Sequence, residues 1–320
     1  MTEAAPRYWY PLSYTEAEAD IARAEAACLL SDLEFVGPLA ISSTRREPRR
    51  SAHLRARLAP LARAESADEL VAAVSRIGLG AELFKIEVHH LHCPKNAAYH
   101  RLADELGAVI DGGVDLRHPQ TLFWALETTR GWWFGQVEAL STRGWRAVTP
   151  HEHTFSSALP PRLALACVSM ACGDGHTFLD PCCGCGTMVL QAAALGLTAV
   201  GADLNPRMVW LTRRNLREMN LRALVCRADA RSIAGRFDGV AANLPYGRYL
   251  PTQTGLYEAI AANLVSWARR AVFVAGADYA HTWAEAGFQV VLTARVKSQS
   301  LTRWVHVCTA TASEAPTDAG

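Results

Sequence analysis

The sequence predicts two architectures in one chain: a mixed α+β unit over residues 1–150, then an α/β unit over 173–320 with a mostly parallel, doubly wound sheet, joined by a connecting segment and helix over 151–172. Three observations carry this. From Thr177 onward short apolar strands alternate with helical stretches, the pattern that parallel crossovers require. Before residue 150 strands and helices follow one another with no regular repeat. The length of 320 residues is about two domains at the usual ~150 each. Half the residues are hydrophobic and a fifth charged, which is the composition of a chain that buries a core.

In the first unit, Tyr14–Leu30 is rich in Ala and Glu and reads as a helix opened by Ser13 or Thr15. Leu39–Ile41 reads as a strand. Ser42–Arg57 follows as a polar stretch holding Arg45, Arg46, Arg49, Arg50, Arg55 and Arg57, favoured as a solvated loop, with RNA-phosphate contact as the alternative. Ala67–Ile77 is a second helix, Leu83–Val88 a strand and Tyr99–Leu106 a helix. Gly112-Gly113 marks a turn. Val114–Leu116, Leu122–Glu127 and Trp132–Val137 are short strands separated by His118-Pro119 and Arg130-Gly131.

A helix starts near Pro160-Pro161 and runs through Met170. The strands of the second unit are Phe178–Asp180, Ala199–Asp203, Leu224–Cys226, Gly239–Asn243 and Ala271–Ala275, with Gln289–Ala294 and Trp304–Thr311 as a final antiparallel edge. The tail after Ala312 is polar and expected to fray.

Charge excludes one class of function. The two halves carry about −2 and +3 within the total of +1, so neither is the strongly basic domain of a non-specific DNA coater. No apolar run reaches the ~18 residues of a membrane span. The start, Met1 to Pro6, has no basic or apolar leader pattern. The nine cysteines are an odd number, and Cys182, Cys183 and Cys185 crowd one loop too closely for a disulfide ladder. These readings predict a reduced, cytoplasmic setting and no membrane partner.

The clearest chemical signal is Asp180-Pro-Cys-Cys-Gly-Cys-Gly-Thr187, which follows an apolar strand and opens a helix. Gly184 and Gly186 let the backbone turn sharply and approach a ligand. Seventeen residues after Gly186 the next strand ends in Asp203, where a carboxylate can accept bonds from both hydroxyls of an adenosine ribose. Asp229, after the third strand, is placed to bond an adenine amine. The loop is neither GxGxxG nor a P-loop, so S-adenosylmethionine fits better than a nicotinamide or a nucleoside triphosphate. The candidate cofactor residues are Asp180, Cys182, Gly184, Gly186, Thr187, Asp203, Asp229 and Asn243. The loop cysteines read as small residues beneath the cofactor, and no metal is expected.

The fourth strand ends in Asn243-Leu-Pro-Tyr-Gly247. The Asn243 Oδ1 and the Leu244 carbonyl can accept both protons of an exocyclic base amine, and Tyr246 can stack on the base. Such an amine is a poor nucleophile because its lone pair is conjugated. Two acceptors favour its rehybridisation and stabilise the positive charge that develops as it attacks a sulfonium methyl. Asn243, Leu244, Pro245 and Tyr246 are thus the catalytic candidates, and Tyr246 and Arg248 the substrate-binding ones.

At these residues the chain resembles the class I S-adenosylmethionine-dependent methyltransferases of exocyclic base amines, whose Asp/Asn-Pro-Pro-Tyr motif stands here as Asn243-Leu-Pro-Tyr246. Within that class it is similar to the tRNA guanosine N2-methyltransferases acting at position 10. The supporting stretches are Asp180–Thr187, Ser156–Leu163, and Val114–Pro119 followed by Trp132–Gly135. The resemblance implies a Rossmann-like methyltransferase domain with a seven-stranded sheet and a ferredoxin-like, THUMP-like N-terminal domain that captures tRNA. It also implies, for some lineages, a small activating subunit. The alternatives are an amino-methyltransferase of rRNA guanine N2, DNA adenine N6 or a small molecule, and a non-catalytic RNA-binding scaffold.

His89, His90, His92, Cys93 and His100 cluster in sequence, but a strand sends His89 and His90 to opposite faces, so ordinary histidines are favoured over zinc. Trp132, Trp133 and Trp145 read as core residues. Ser300–Arg303 precedes the last strand and is placed to close over a substrate pocket.

Overall fold

The computed structural model describes residues 6–91, 99–148, 158–245, 255–297 and 301–311. In chain order the elements are β1 (Tyr8–Pro11), α1 (Ala19–Leu29), β2 (Glu34–Val36), β3 (Leu39–Ser42), β4 (Ala56–Ala64), α2 (Ala67–Ile77), β5 (Gly80–His90), α3 (Tyr99–Ala108), β6 (Asp111–Val114), β7 (Thr121–Thr128) and β8 (Gly131–Leu140). They continue as α4 (Pro161–Cys172), β9 (Thr177–Asp180), α5 (Thr187–Ala194), β10 (Thr198–Asp203), α6 (Pro206–Glu218), β11 (Leu224–Arg227), β12 (Gly239–Asn243), α7 (Leu256–Val265), β13 (Arg270–Ala275), α8 (Ala280–Glu285), β14 (Phe288–Lys297) and β15 (Thr302–Ala310).

Two compact units emerge, and both are discontinuous in sequence. One takes residues 1–13, 30–49 and 53–142; the other takes 14–29, 50–52 and 143–320. The predicted boundary at residue 150 therefore differs from the observed division, because the first helix is packed with the second unit. α1 lies against α4 and β14, and its Ile21 and Ala24 share a core with Leu163, Val168, Ala294 and Val296. Glu25 is fully buried on this helix and accepts the Ala52 N–H at 2.8 Å. Thr15 opens the segment through a capping box with Glu18.

The first unit is one eight-stranded mixed sheet in the order β2-β3-β1-β4-β8-β7-β5-β6. α2 and α3 bury Leu70, Val74, Leu102 and Leu106 against Phe84, Phe123 and Phe134, while Trp9, Leu58, Trp124 and Trp133 form a second cluster. Gly112 and Gly113, predicted as a turn, lie within β6, which pairs in parallel with β5. The basic stretch is more structural than predicted. Arg57 is buried, bonding Glu47 at 2.8 Å and Glu138 at 3.0 Å, and Arg46 is also buried. Arg50, in the second unit, donates to the Gly175 carbonyl at 2.8 Å. Trp133 is a core residue whose Nε1 donates to Thr128 Oγ1 at 3.1 Å.

The second unit carries a seven-stranded sheet in the order β11-β10-β9-β12-β13-β15-β14. The first five strands are parallel; β15 runs antiparallel to both β13 and β14, so the sheet is mixed. α1, α4, α5 and α6 contribute to one core cluster, and α7 and α8 to another around Phe273 and Trp283. Thr302 and Arg303, predicted to precede the last strand, belong to β15 itself; Ser300 lies outside the described residues. Strand order turns back between β9 and β12, and such switch points open a crevice at the carboxyl ends of the strands.

Candidate active site

Both sequence motifs end at that crevice. β9 delivers Asp180 and the following loop, and β12, its neighbour through Val240 opposite Leu179, delivers Asn243. The loop is built largely from backbone bonds. Cys183 N–H donates to the Ala202 carbonyl at 2.8 Å, and Gly186 N–H to the Cys183 carbonyl at 2.8 Å. Gly184 N–H donates to Asp203 Oδ2 at 2.9 Å, while Asp203 Oδ1 accepts from Asn205 at 2.9 Å. Asp203 thus anchors the loop as well as ending its strand.

Two residues that the sequence analysis missed hold the loop from α6. Thr212 Oγ1 donates to the Gly184 carbonyl at 2.8 Å, and Asn215 Nδ2 to the Cys185 carbonyl at 2.8 Å. Both are fully buried. Their signal was available: two polar side chains three residues apart among the core-facing positions of an amphipathic helix.

The two loop glycines do different work. Gly186 has φ +90°, and a Cβ there would lie 2.6 Å from Thr212 Cγ2. Gly184 has φ +54°, and its Cβ position meets no atom within 4 Å, so it faces open space. Gly186→Ala is therefore expected to lower the melting temperature by a few degrees, from about 1–3 kcal/mol of strain and displacement, and to weaken cofactor binding. Gly184→Ala is expected to cost less stability yet still weaken binding, because it fills the cradle. Thermal melts paired with cofactor calorimetry separate the two.

Asp180 is 1% exposed, with Oδ1 accepting the Cys182 N–H at 3.1 Å. Burial pushes its carboxyl well above the usual carboxylate range, and the charge of Asp203 adds to this against the Cys182 hydrogen bond. The Cys182 thiol is pushed up by burial and by Asp180, Asp203 and Asp229 together, so it stays a neutral, unreactive thiol. Asp229 is held low by its Arg231 partner, with Arg231 Nη2 at 2.6 Å. Thr187 begins α5 and is buried, its Oγ1 3.7 Å from Cys185 Sγ.

This surround fits the methyl donor that the sequence suggests. An open glycine cradle that follows Asp180 and is bonded to Asp203 favours a nucleoside carrying positive charge, and S-adenosylmethionine has both an ammonium and a sulfonium. Asp180, Gly184 and Asp203 are the residues that would hold it, with Asp229 as the outer acceptor.

On the neighbouring strand Asn243 is half-buried opposite Val274 of β13. Leu244 is buried, and its N–H donates to the Val274 carbonyl at 3.0 Å. The Pro245 carbonyl accepts the Tyr257 hydroxyl at 2.6 Å. Tyr246 and Arg248 lie outside the described residues, as do His92 and Cys93 and the side chain of His100. His89 pairs with Glu87 at 3.3 Å and His90 with Glu127. Burial lowers the His89 pKa to about 4. Among the described residues no group of three or more His, Cys, Asp or Glu side chains is placed to hold a metal ion, and no helix is long and apolar enough to cross a membrane.

A family model described as "RMKL-like, methyltransferase domain" matches residues 143–311. The chain is 33% identical over 153 residues to a tRNA (guanine(10)-N2)-dimethyltransferase of Methanothermobacter thermautotrophicus, covering 44% of this chain and 46% of that protein. It is 26% identical over 181 residues to the protein of the same name from Methanocaldococcus jannaschii, covering 51% and 52%. The chain spans about half the length of these curated relatives. Among solved structures it is similar to TrmN from Thermus thermophilus, with TM-score 0.47, 18% identity, and coverage of 95% of this chain and 100% of that one.

Proposed function

The chain belongs to the RMKL-like, methyltransferase-domain family, with S-adenosylmethionine as methyl donor, and on that premise we propose that it methylates the exocyclic N2 amine of a guanosine in tRNA at a site like position 10. The observation that carries this reading is the meeting of two motifs at one switch point: the Asp180–Thr187 cradle on β9 and Asn243-Leu-Pro on β12. The names of the archaeal relatives support guanine N2 in tRNA as the acceptor.

In this reading the bound cofactor supplies an electrophilic methyl group on sulfur. Asp203 receives the ribose hydroxyls, Asp180 faces the positively charged end, and Asp229 receives the adenine amine. Cys182, Gly186 and Thr187 shape the cradle floor. Asn243 Oδ1 and the Leu244 carbonyl accept the two amine protons, turning the lone pair toward the methyl group, and Tyr246 stacks on the base. Positioning in line supplies much of the rate, and developing positive charge is met by two fixed acceptors. A strong general base is unnecessary because the methylated amine loses its proton readily to water. The first unit acts as a THUMP-like capture domain that reads tRNA by shape, the guanine leaves its stack to reach Tyr246, Arg248 contacts phosphate, and the protein works in the cytoplasm.

The test is mass spectrometry of digested bulk tRNA after incubation with the protein and isotopically labelled S-adenosylmethionine. Label in N2-methylguanosine is the expected result. Label in another nucleoside, or none while the cofactor still binds, overturns the proposed acceptor.

A further inference from the structure

Beneath the Asn243–Pro245 turn lies a chain of aromatic and polar contacts that the proposed chemistry does not use, running through buried Tyr257, Trp283 and His306 with Tyr279 half-buried and Asp278 exposed. Tyr257, near the start of α7, is 3% exposed and donates its hydroxyl to the Pro245 carbonyl. Its ring packs edge-on against Tyr279, with centroids 4.8 Å apart at 75°, and lies 6.0 Å from Trp283, which stacks on Phe273 at 4.3 Å. Tyr279 also lies 6.0 Å from Trp283, and the residue before it, Asp278, reaches β15. One oxygen of that carboxylate accepts the Ala280 N–H at 3.0 Å and meets His306 Nε2 at 2.9 Å. His306 is fully buried on β15, opposite Phe273.

We propose that Tyr257 is a positioning residue for the methyl-acceptor turn, fixing the direction of the Leu244 carbonyl through its hydrogen bond to Pro245. The argument is one of torsional freedom. The Leu244 N–H is tied to Val274, and the Pro245 ring fixes its own φ near −65°. Peptide planes are rigid, so the Leu244 torsions and the Pro245 ψ are what remain between these anchors. Tying the Pro245 carbonyl to a phenol that cannot itself move removes most of that remaining freedom. His306 of β15 lies 6.1 Å from Trp283, itself 6.0 Å from the phenol ring, so the packing around Tyr257 extends from β15 to the turn. A hydroxyl bonded to a backbone carbonyl has no packing reason to be there, since phenylalanine would fill the same space.

This inference rests on the reading that the turn receives the acceptor amine. Its test is Tyr257→Phe in the full-length chain, followed by two independent measurements. In turnover, kcat is expected to fall about five- to tenfold, the scale of one hydrogen bond, while KM for the acceptor and cofactor affinity stay within about twofold. In hydrogen exchange, the Leu244 amide is expected to exchange faster while distant strands keep their protection. A kcat within twofold of the parent, an unchanged Leu244 amide, or a general loss of protection across the second unit each overturns the proposal. If the parent labels an acceptor other than tRNA guanosine, the proposed acceptor fails while kcat is read on the other substrate. If the parent labels nothing, the exchange measurement decides by itself.

Discussion

Asn243→Ala is expected to reduce methyl transfer by about 10²–10³-fold, the usual loss when one preorganised charge-stabilising group is removed, while leaving cofactor affinity within about twofold. Asn243 ends β12 on the strand beside Asp180, whereas the cradle hangs from β9, β10 and α6. In the proposed mechanism its amide serves the acceptor, and the cradle is held without it. The backbone around it is held independently, by the Leu244 N–H to the Val274 carbonyl and by Tyr257 to Pro245. Truncating the side chain should thus leave the turn in place, and the lost term is the acceptor that stabilises an amine becoming positive. Single-turnover rates paired with cofactor calorimetry check both halves. Turnover within tenfold of the parent would remove Asn243 from the chemistry.

Asp180→Asn is expected to separate stability from function in the opposite sense. Burial raises the native pKa of Asp180, so its effect on stability is neutral below the unfolded value of about 3.9 and turns unfavourable as pH rises toward the native value. Asparagine keeps the shape and removes that cost, so the ligand-free variant should melt no lower than the parent near neutral pH, and higher as pH rises. Cofactor affinity should fall at least tenfold, because positive charge placed beside Asp180 is what makes its ionised form favourable. The same linkage predicts that, in the pH range where ligand-free Asp180 is protonated, binding by the parent releases a proton. Calorimetry in buffers of different ionisation enthalpy measures that release, and a parent that releases none at any pH would show that Asp180 does not change its protonation on binding.

Much of the second unit could be read in advance because its signals are local. Phe178–Asp180, Ala199–Asp203 and Gly239–Asn243 are short apolar runs ending in a polar residue, and their alternation with helices leaves few topologies. The turn from β9 into α5 was readable because Asp180, Gly184 and Gly186 lie close together along the chain. Tyr257 was harder, since it acts through a backbone carbonyl that no side-chain pattern announces, and the polar pair Thr212 and Asn215 marks the core-facing side of α6 without naming the carbonyls it meets. The strands β1, β2 and β4 escaped for a different reason. β4 reads Ala-Arg-Leu-Ala-Pro-Leu-Ala-Arg-Ala, which is poor in β-branched residues and carries a proline, and pairing with β8 overrides its weak propensity. Arg57 looked like solvated charge because its partners, Glu47 and Glu138, are brought to it from opposite directions along the chain.

The placement of α1 has a consequence for synthesis. The helix leaves the ribosome well before the surfaces that cover it, α4 and β14, which begin at residues 161 and 288. At ~5–20 residues per second, the roughly 260 residues between the end of α1 and β14 take about 13–50 seconds to arrive. Through that interval Ile21 and Ala24 lack the β14 part of their core, while the strands of the first unit can already pair. α1 is therefore made long before the core around it is completed. A nascent chain stalled before residue 288 should expose the 14–29 segment to protease, and one released after 311 should protect it.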